Sequence, residues 1–199
     1  MNIVVIKYNA GNVRSVLNAL ERIGVVPTFT DDLELISKAD GIILPGQGEA
    51  SSAMAYLRER HLDDAIRNAK QPLLGICIGQ QLLCHHSEEG DADCLGIIDT
   101  DVKRFRPERH EQKVPVMGWN KIYDTKSALF DRIDKTDHYV YFIHSYYVPL
   151  CSETIATANY IHPYSAALHK GNFYATQFHP EKSGDVGSII LENFISICK

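Results

Sequence analysis

The chain has little that would hold it in a membrane or on a charged polymer. None of its apolar runs approaches the roughly 20 residues a bilayer-spanning helix needs. The N-terminal MNIVVIKYNAGN has neither a basic leader nor a small-residue cleavage site, so no signal peptide is expected and the chain is expected to stay in the cytoplasm. Basic residues are not in excess: 20 Lys and Arg against 25 Asp and Glu leave a net charge of −5, which argues against nucleic acid as a partner. One small basic cluster, Lys103, Arg104, Arg106 and Arg109, reads as a solvated loop; if it has a role, it suits a phosphorylated metabolite or an acidic protein surface. Paired cysteine spacing is missing. Five cysteines (Cys77, Cys84, Cys94, Cys151, Cys198) are expected to be free thiols in a reducing compartment.

Cofactor and metal signals are scarce as well. Gly11-Asn12 lacks a full dinucleotide fingerprint, and no Walker-type lysine follows a glycine loop. Cys84-His85-His86 has no second Cys/His pair at ligand spacing, and adjacent histidines on a helix point apart, so no metal is expected. No repeat, low-complexity segment or long linker interrupts the 199 residues, which are expected to form one domain, 1–199.

What is present alternates. Ile3-Val4-Val5-Ile6 is a continuous apolar run, as a strand covered on both faces should be. Val13, Val16, Leu17, Leu20 and Ile23 follow at helical spacing, with Asn12 placed to cap the start and Gly24 at the C′ position. Val25 to Phe29 reads as a second strand near an edge, because of Pro27. Gly41 to Leu44 reads as a third strand, a helical stretch in two pieces follows from about Glu49 to Lys70, and Pro72 to Ile76 reads as a fourth strand before another helix that begins with Gln80 to Leu83. This order predicts an α/β fold: a mostly parallel twisted sheet with helices on both faces. Beyond Leu95, short β-like runs dominate (Ile97-Ile98, Val102–Phe105, Tyr139–Ile143, Thr154–Ala158, Phe173–Phe178), so additional short antiparallel strands are expected in the second half. A last helix is predicted over Asp185 to Ile197.

Three stretches carry chemistry. Gly75-Ile76-Cys77-Ile78-Gly79 joins a buried strand to a helix and has the G-x-nucleophile-x-G form of an elbow, with cysteine in the nucleophile position. Such a turn would lift the sulfur to the C-terminal edge of the sheet, put it at a helix N-terminus that favours thiolate, and aim the Ile78 N–H at a developing oxyanion. Read alone, Cys77 is equally a small buried residue between two turn glycines. Gln177-Phe178-His179-Pro180-Glu181 supplies a base and a group to orient it; extended backbone would point His179 and Glu181 to one side. A lone His-x-Glu is more often a surface pair, and it is the neighbouring elbow that reverses this. Leu44-Pro45-Gly46-Gln47-Gly48 can turn backbone N–H groups toward an anion, although as a mere turn it is unremarkable.

Together these residues resemble the class I (triad) glutamine amidotransferases. Tyr8 with Gly11-Asn12-Val13-Arg14-Ser15-Val16, Met117-Gly118-Trp119-Asn120 and Tyr141-Phe142-Ile143-His144-Ser145-Tyr146 point, within that family, to the glutaminase subunits of histidine biosynthesis. The resemblance covers nearly the whole chain. It implies hydrolysis of glutamine to glutamate and ammonia: Cys77 attacks the carboxamide, His179 serves as base, Glu181 orients the imidazole, and a thioester forms. By the same resemblance the oxyanion is held by Ile78 and by Gly46 or Gln47, and glutamine is contacted by Gly48, Gln81, Ser145 and Tyr146. No cofactor is implied. The implied partner is a (β/α)8-barrel cyclase subunit, forming a heterodimer through Trp119, Tyr141 and Lys182. The cyclase uses the ammonia to make imidazole glycerol phosphate and aminoimidazole carboxamide ribotide. Val116, Gln47, Gln80 and Asp99 depart from the family pattern, which bears on control and removes no catalytic group. A glutaminase serving another synthase, a silent regulatory subunit on the same fold, and a self-contained hydrolase remain as alternatives.

Overall fold

The computed structural model of the protein describes residues 1–133 and 138–199. Among them, thirteen strands and six α-helices follow one another: β1 (Ile3–Ile6), α1 (Val13–Arg22), β2 (Thr28–Thr30), α2 (Leu33–Ser37), β3 (Gly41–Leu44), α3 (Ala50–Glu59), α4 (Leu62–Arg67), β4 (Leu73–Ile76), α5 (Ile78–Leu82), β5 (His86–Ser87), β6 (Ala92–Asp93), β7 (Asp101–Arg104), β8 (Val116–Tyr123), β9 (His138–His144), β10 (Tyr146–Tyr147), β11 (Thr154–Tyr160), β12 (His162–Lys170), β13 (Phe173–Thr176) and α6 (Gly184–Ile197).

Nine strands form one sheet in the order β2-β1-β3-β4-β13-β12-β11-β8-β9. The first five are parallel. From β13 onward the neighbours run antiparallel. A smaller sheet, β10-β7-β5-β6, carries the short strands of the middle of the chain.

The uninterrupted apolar strands have a simple cause. Val4, Ile6, Ile42 and Leu44 face one layer, built from α3, α4 and α5 through Met54, Leu57, Leu62, Ile66 and Leu82. Ile3, Val5, Ile43, Leu74 and Ile76 face the other, built from α1 and α6 through Val16, Leu20, Ile190 and Phe194. Both faces are dry, so alternation along the strand has no polar side to show.

Several expectations shift. The second strand is Thr28–Thr30 at the sheet edge, and Val25, Val26 and Pro27 lie outside it; proline donates no ladder bond. Asn12 stands at the N-cap of α1, but in the left-handed region (φ 56°). Its Oδ1 accepts the Ser15 hydroxyl at 2.8 Å and no backbone N–H. Gly24 takes the C′ role, at φ 81° with its N–H on the Glu21 carbonyl at 3.0 Å. Ile97-Ile98 is a bend and no strand. The sequence pattern gives no expectation of α2, β8 or β12.

Candidate active site

The elbow is built by crowding. Cys77 adopts φ 54° and ψ −105°, a conformation sparsely populated for any residue with a side chain. A Cβ added at Gly75 would stand 2.7 Å from the Gly79 carbonyl, and one at Gly79 would collide with the Leu44 carbonyl oxygen. Strand β4, the turn and the start of α5 can therefore approach only where the two glycines stand. Helix α5 has five residues, so its dipole gives less than a long helix would; Ile78 opens it, ahead of the first intrahelical bonds, Gln80 N and Gln81 N to Cys77 O, and lines the cavity beside the sulfur.

His179 follows β13, the strand beside β4, which brings it to the same sheet edge as Cys77. Its Nδ1 meets Glu181 Oε1 at 2.8 Å, both side chains being almost completely buried. The meeting does not come from extended backbone throughout: His179 is extended (φ −98°, ψ 95°), but Pro180–Lys182 is a single 3-10 turn that curls the carboxylate back to the ring. The turn is tied down by Ser183, whose hydroxyl donates to the His179 carbonyl at 2.6 Å and accepts the Tyr141 N–H at 3.0 Å. Gly187 of α6 packs against it so closely that an added Cβ would collide with the Pro180 carbonyl oxygen.

Nε2 of His179 is buried and has no hydrogen-bond partner among the described residues. Burial alone would favour neutral imidazole. The Cys77 thiolate and the Glu181 carboxylate outweigh it and push the pKa up to about 10. With Nδ1–H directed at the carboxylate, Nε2 is the atom on which the thiol proton is held.

A cavity of about 200 Å³ opens beside the sulfur, lined by Gln47, Gly48, Ile78, Gln81, Ser145 and Tyr146, together with Cys77, Glu89, Pro115, Ile143 and His144. It brings together the elbow and the stretches read as oxyanion and glutamine contacts, except Gly46. That glycine does not line the cavity; an added Cβ there would meet the Tyr8 hydroxyl and, at 2.5 Å, Ile78 Cγ2. The glycine loop is held from the β1 side. The Tyr8 hydroxyl donates to the Pro45 carbonyl, and the Gly11 N–H donates to the Gln47 carbonyl at 2.6 Å.

Four of the lining residues lie outside the sequence-predicted set, Glu89, Pro115, Ile143 and His144, and two of these are titratable. Glu89 is the one acidic side chain among the described residues of the lining; burial first, and then the Glu49 charge, raise its pKa, while the Ala50 N–H bonded to Oε2 at 3.0 Å works the other way. Nothing in Ser87-Glu88-Glu89-Gly90 marks it out, because its place depends on the small sheet folding over α3. His144 is kept neutral, with its pKa lowered to about 4 mainly by burial; its Nδ1 donates to the Tyr146 carbonyl at 2.7 Å.

Trp119, Tyr141 and Lys182 form one patch. The Trp119 and Tyr141 rings meet edge to face at 6.2 Å, the Lys182 ammonium lies 5.7 Å from the Tyr141 ring centre, and Trp119 is 56% exposed. The patch adjoins the His179–Glu181 turn, since the His179 N–H donates to the Tyr141 carbonyl at 2.9 Å. No group of three or more His, Cys, Asp or Glu that could hold a metal occurs among the described residues. All five cysteines are free, and no described helix is long and apolar enough to cross a membrane.

A comparison with protein families matches residues 4–197 to "Glutamine amidotransferase class-I". The chain is 56% identical to the imidazole glycerol phosphate synthase subunit HisH of Bacteroides thetaiotaomicron, over 99% of this chain and 100% of that one. It is 43% identical to the subunit of the same name from Pectobacterium atrosepticum, over 99% and 100%. Among solved structures, a glutamine amidotransferase superposes with a TM-score of 0.75 at 19% identity, covering 98% of each chain. PurLQS from Thermotoga maritima superposes at 0.72 and 17%, covering 100% of this chain and 99% of that one. These two speak for the fold alone. With the elbow, the His–Glu pair and matches that run the length of the chain, the protein belongs to the class-I glutamine amidotransferase family and, within it, to the HisH glutaminase subunits of imidazole glycerol phosphate synthase.

Proposed function

We propose that residues 1–199 work as one cytoplasmic glutaminase domain in which Cys77, His179 and Glu181 take the amide nitrogen from glutamine. The observation that carries this reading is the His179–Glu181 pair, 2.8 Å apart and buried, with the His179 ring under the charge of the elbow cysteine. The Cys77 thiolate attacks the side-chain carboxamide carbon. The oxyanion is met by the Ile78 N–H and a glycine-loop N–H near Gly46-Gln47. The imidazolium gives its proton to the departing nitrogen, ammonia leaves, and water, deprotonated by His179, cleaves the thioester to glutamate.

The amino-acid end of the substrate carries both charges. Glu89, the one acidic side chain among the described residues of the cavity wall, is placed to read the α-ammonium, while Gly48, Gln81, Ser145 and Tyr146 border the rest. Glu89→Gln is expected to raise KM for glutamine roughly tenfold and leave kcat within about twofold, since the lost ion pair is made equally in the ground and transition states. Steady-state glutamate release at varied glutamine checks this; a fall in kcat at constant KM would remove Glu89 from substrate binding.

Free ammonia at neutral pH is mostly protonated and cannot attack, so its release is useful only next to its consumer. The partner is a (β/α)8-barrel cyclase bound as a heterodimer over Trp119, Tyr141 and Lys182, a patch one hydrogen bond away from the His179 backbone. Glutamate release is measured with the purified chain alone, then with the cyclase and its nucleotide ligand. A slow rate alone and a large rise in the complex is expected. Equal fast rates would instead indicate an independent hydrolase, and no activity in either a silent subunit.

A further inference from the structure

Gln177 is fully buried and stands two residues before His179 in the sequence. Its Nε2 lies 3.7 Å from Cys77 Sγ, and its Oε1 accepts from Gln81 Nε2 at 3.1 Å. The Gln81 amide nitrogen also donates to the Tyr146 carbonyl at 3.1 Å. An amide side chain offers a donor end and an acceptor end of nearly the same shape, so its direction has to follow from its neighbours. Here one backbone atom decides it. The Tyr146 carbonyl can only accept, so Gln81 must present its NH₂; facing that NH₂, Gln177 must present its oxygen; its own NH₂ is then left toward the sulfur. Reversing either amide would set donor against donor or oxygen against oxygen inside a dry site.

The other contact on the sulfur has the opposite preference. The Ile143 carbonyl lies 3.7 Å from Sγ and can only accept, which suits the S–H form. When the proton leaves for His179 that contact turns repulsive, and a fixed donor is needed on the other side.

We propose that Gln177 is a further catalytic residue: a buried amide donor, aimed by the Tyr146 carbonyl through Gln81, that holds negative charge on the Cys77 sulfur. The charge returns to sulfur a second time, when the thioester is hydrolysed and Cys77 is the leaving group, so Gln177 serves both halves of the reaction. The inference rests on Cys77 being the nucleophile.

The test follows the rate of Cys77 alkylation by iodoacetamide against pH, in the complex with the cyclase, for wild type, Gln177→Met, Gln81→Met and the double variant. Methionine fills the space of either glutamine and supplies no donor. Gln177→Met is expected to move the midpoint of the alkylation profile up by about one pH unit and to lower kcat for glutamate release about tenfold, with KM much less changed. Gln81→Met is expected to move the same midpoint upward by freeing the Gln177 amide to turn. The double variant should move it no further than Gln177→Met alone, because both act through one hydrogen bond. An unmoved midpoint in folded Gln177→Met, or additive shifts in the double variant, overturns the proposal. If Gln177→Met does not fold, the midpoint in Gln81→Met decides alone. Failure of the underlying assignment looks different: glutamate release would then survive Cys77→Ala.

Discussion

Cys77→Ala is expected to lower glutamate release by on the order of 10⁴-fold or more while leaving cyclase binding and the far-ultraviolet circular dichroism as they are. Every covalent step passes through the sulfur, and no second thiol can replace it. Cys84 and Cys94 are buried thiols, Cys84 raised well above its ordinary pKa and Cys94 pushed up to about 12, in each case mainly by burial. The backbone of the elbow does not depend on sulfur. Its geometry is set by the approach of Gly75 to Gly79 and of Gly79 to Leu44, and alanine retains a Cβ where cysteine has one. The check is glutamate release from the complex beside a binding isotherm for the cyclase; activity that persists in Cys77→Ala would sink the mechanism, whereas lost binding would mean that the residue is structural.

Gly187→Ala is expected to lower glutamate release by on the order of a hundredfold although it adds one methyl group outside the cavity. That methyl collides with the carbonyl oxygen of Pro180 and comes within 2.8 Å of its carbonyl carbon, atoms of backbone that cannot swing aside. Either α6 withdraws or the 3-10 turn moves, and the turn holds Glu181 against His179. Overpacking of this kind costs about 1–3 kcal/mol, and a displacement of about 1 Å in a catalytic group costs on the order of a hundredfold in rate. Thermal unfolding and glutamate release, measured on one preparation, should fall together. A lower melting temperature with an unchanged rate would mean that the helix yields and the turn does not.

How much of this was legible in the sequence depended on distance along the chain. The elbow is written within five residues, Gly75 to Gly79; Gly75 is required by its approach to Gly79 inside the turn, whereas Gly79 is required by the Leu44 carbonyl on the neighbouring strand β3. His179 and Glu181 are two residues apart, and their pairing was anticipated, although the 3-10 turn that achieves it was not. Strands β1, β3 and β4 were legible because both faces are buried and their runs carry no polar side chain, whereas the edge strand β2, Thr-Phe-Thr and only partly buried, was misplaced. Strand β12 was missed: it pairs with β11 and β13 on either side and is buried through Tyr164 to Leu168, but it opens on His162-Pro163 and holds Ser165 in its middle, so no simple period survives. Helix α2 has only five residues, too few to show a period, even though Asp32 caps it through the Glu34 and Leu35 N–H groups. Glu89 and the direction of the Gln177 amide were not legible at all. The first depends on which loop covers the cavity, the second on the carbonyl of Tyr146, far from Gln177 along the chain.

The conformation of Cys77 has a consequence for the history of such a chain. A residue with a side chain held at φ 54° and ψ −105° costs about 1–3 kcal/mol whether or not substrate is present. That is a sizeable share of the 5–15 kcal/mol or so by which a domain is ordinarily stable. The cost is borne by the buried strands and helices around the elbow, and it yields only turnover. A lineage released from the need for ammonia would therefore gain stability by giving up the elbow, most directly by glycine at position 77, and would keep its sheet and its helices. Catalysis in this fold is maintained against a gradient that favours a sturdier, silent protein.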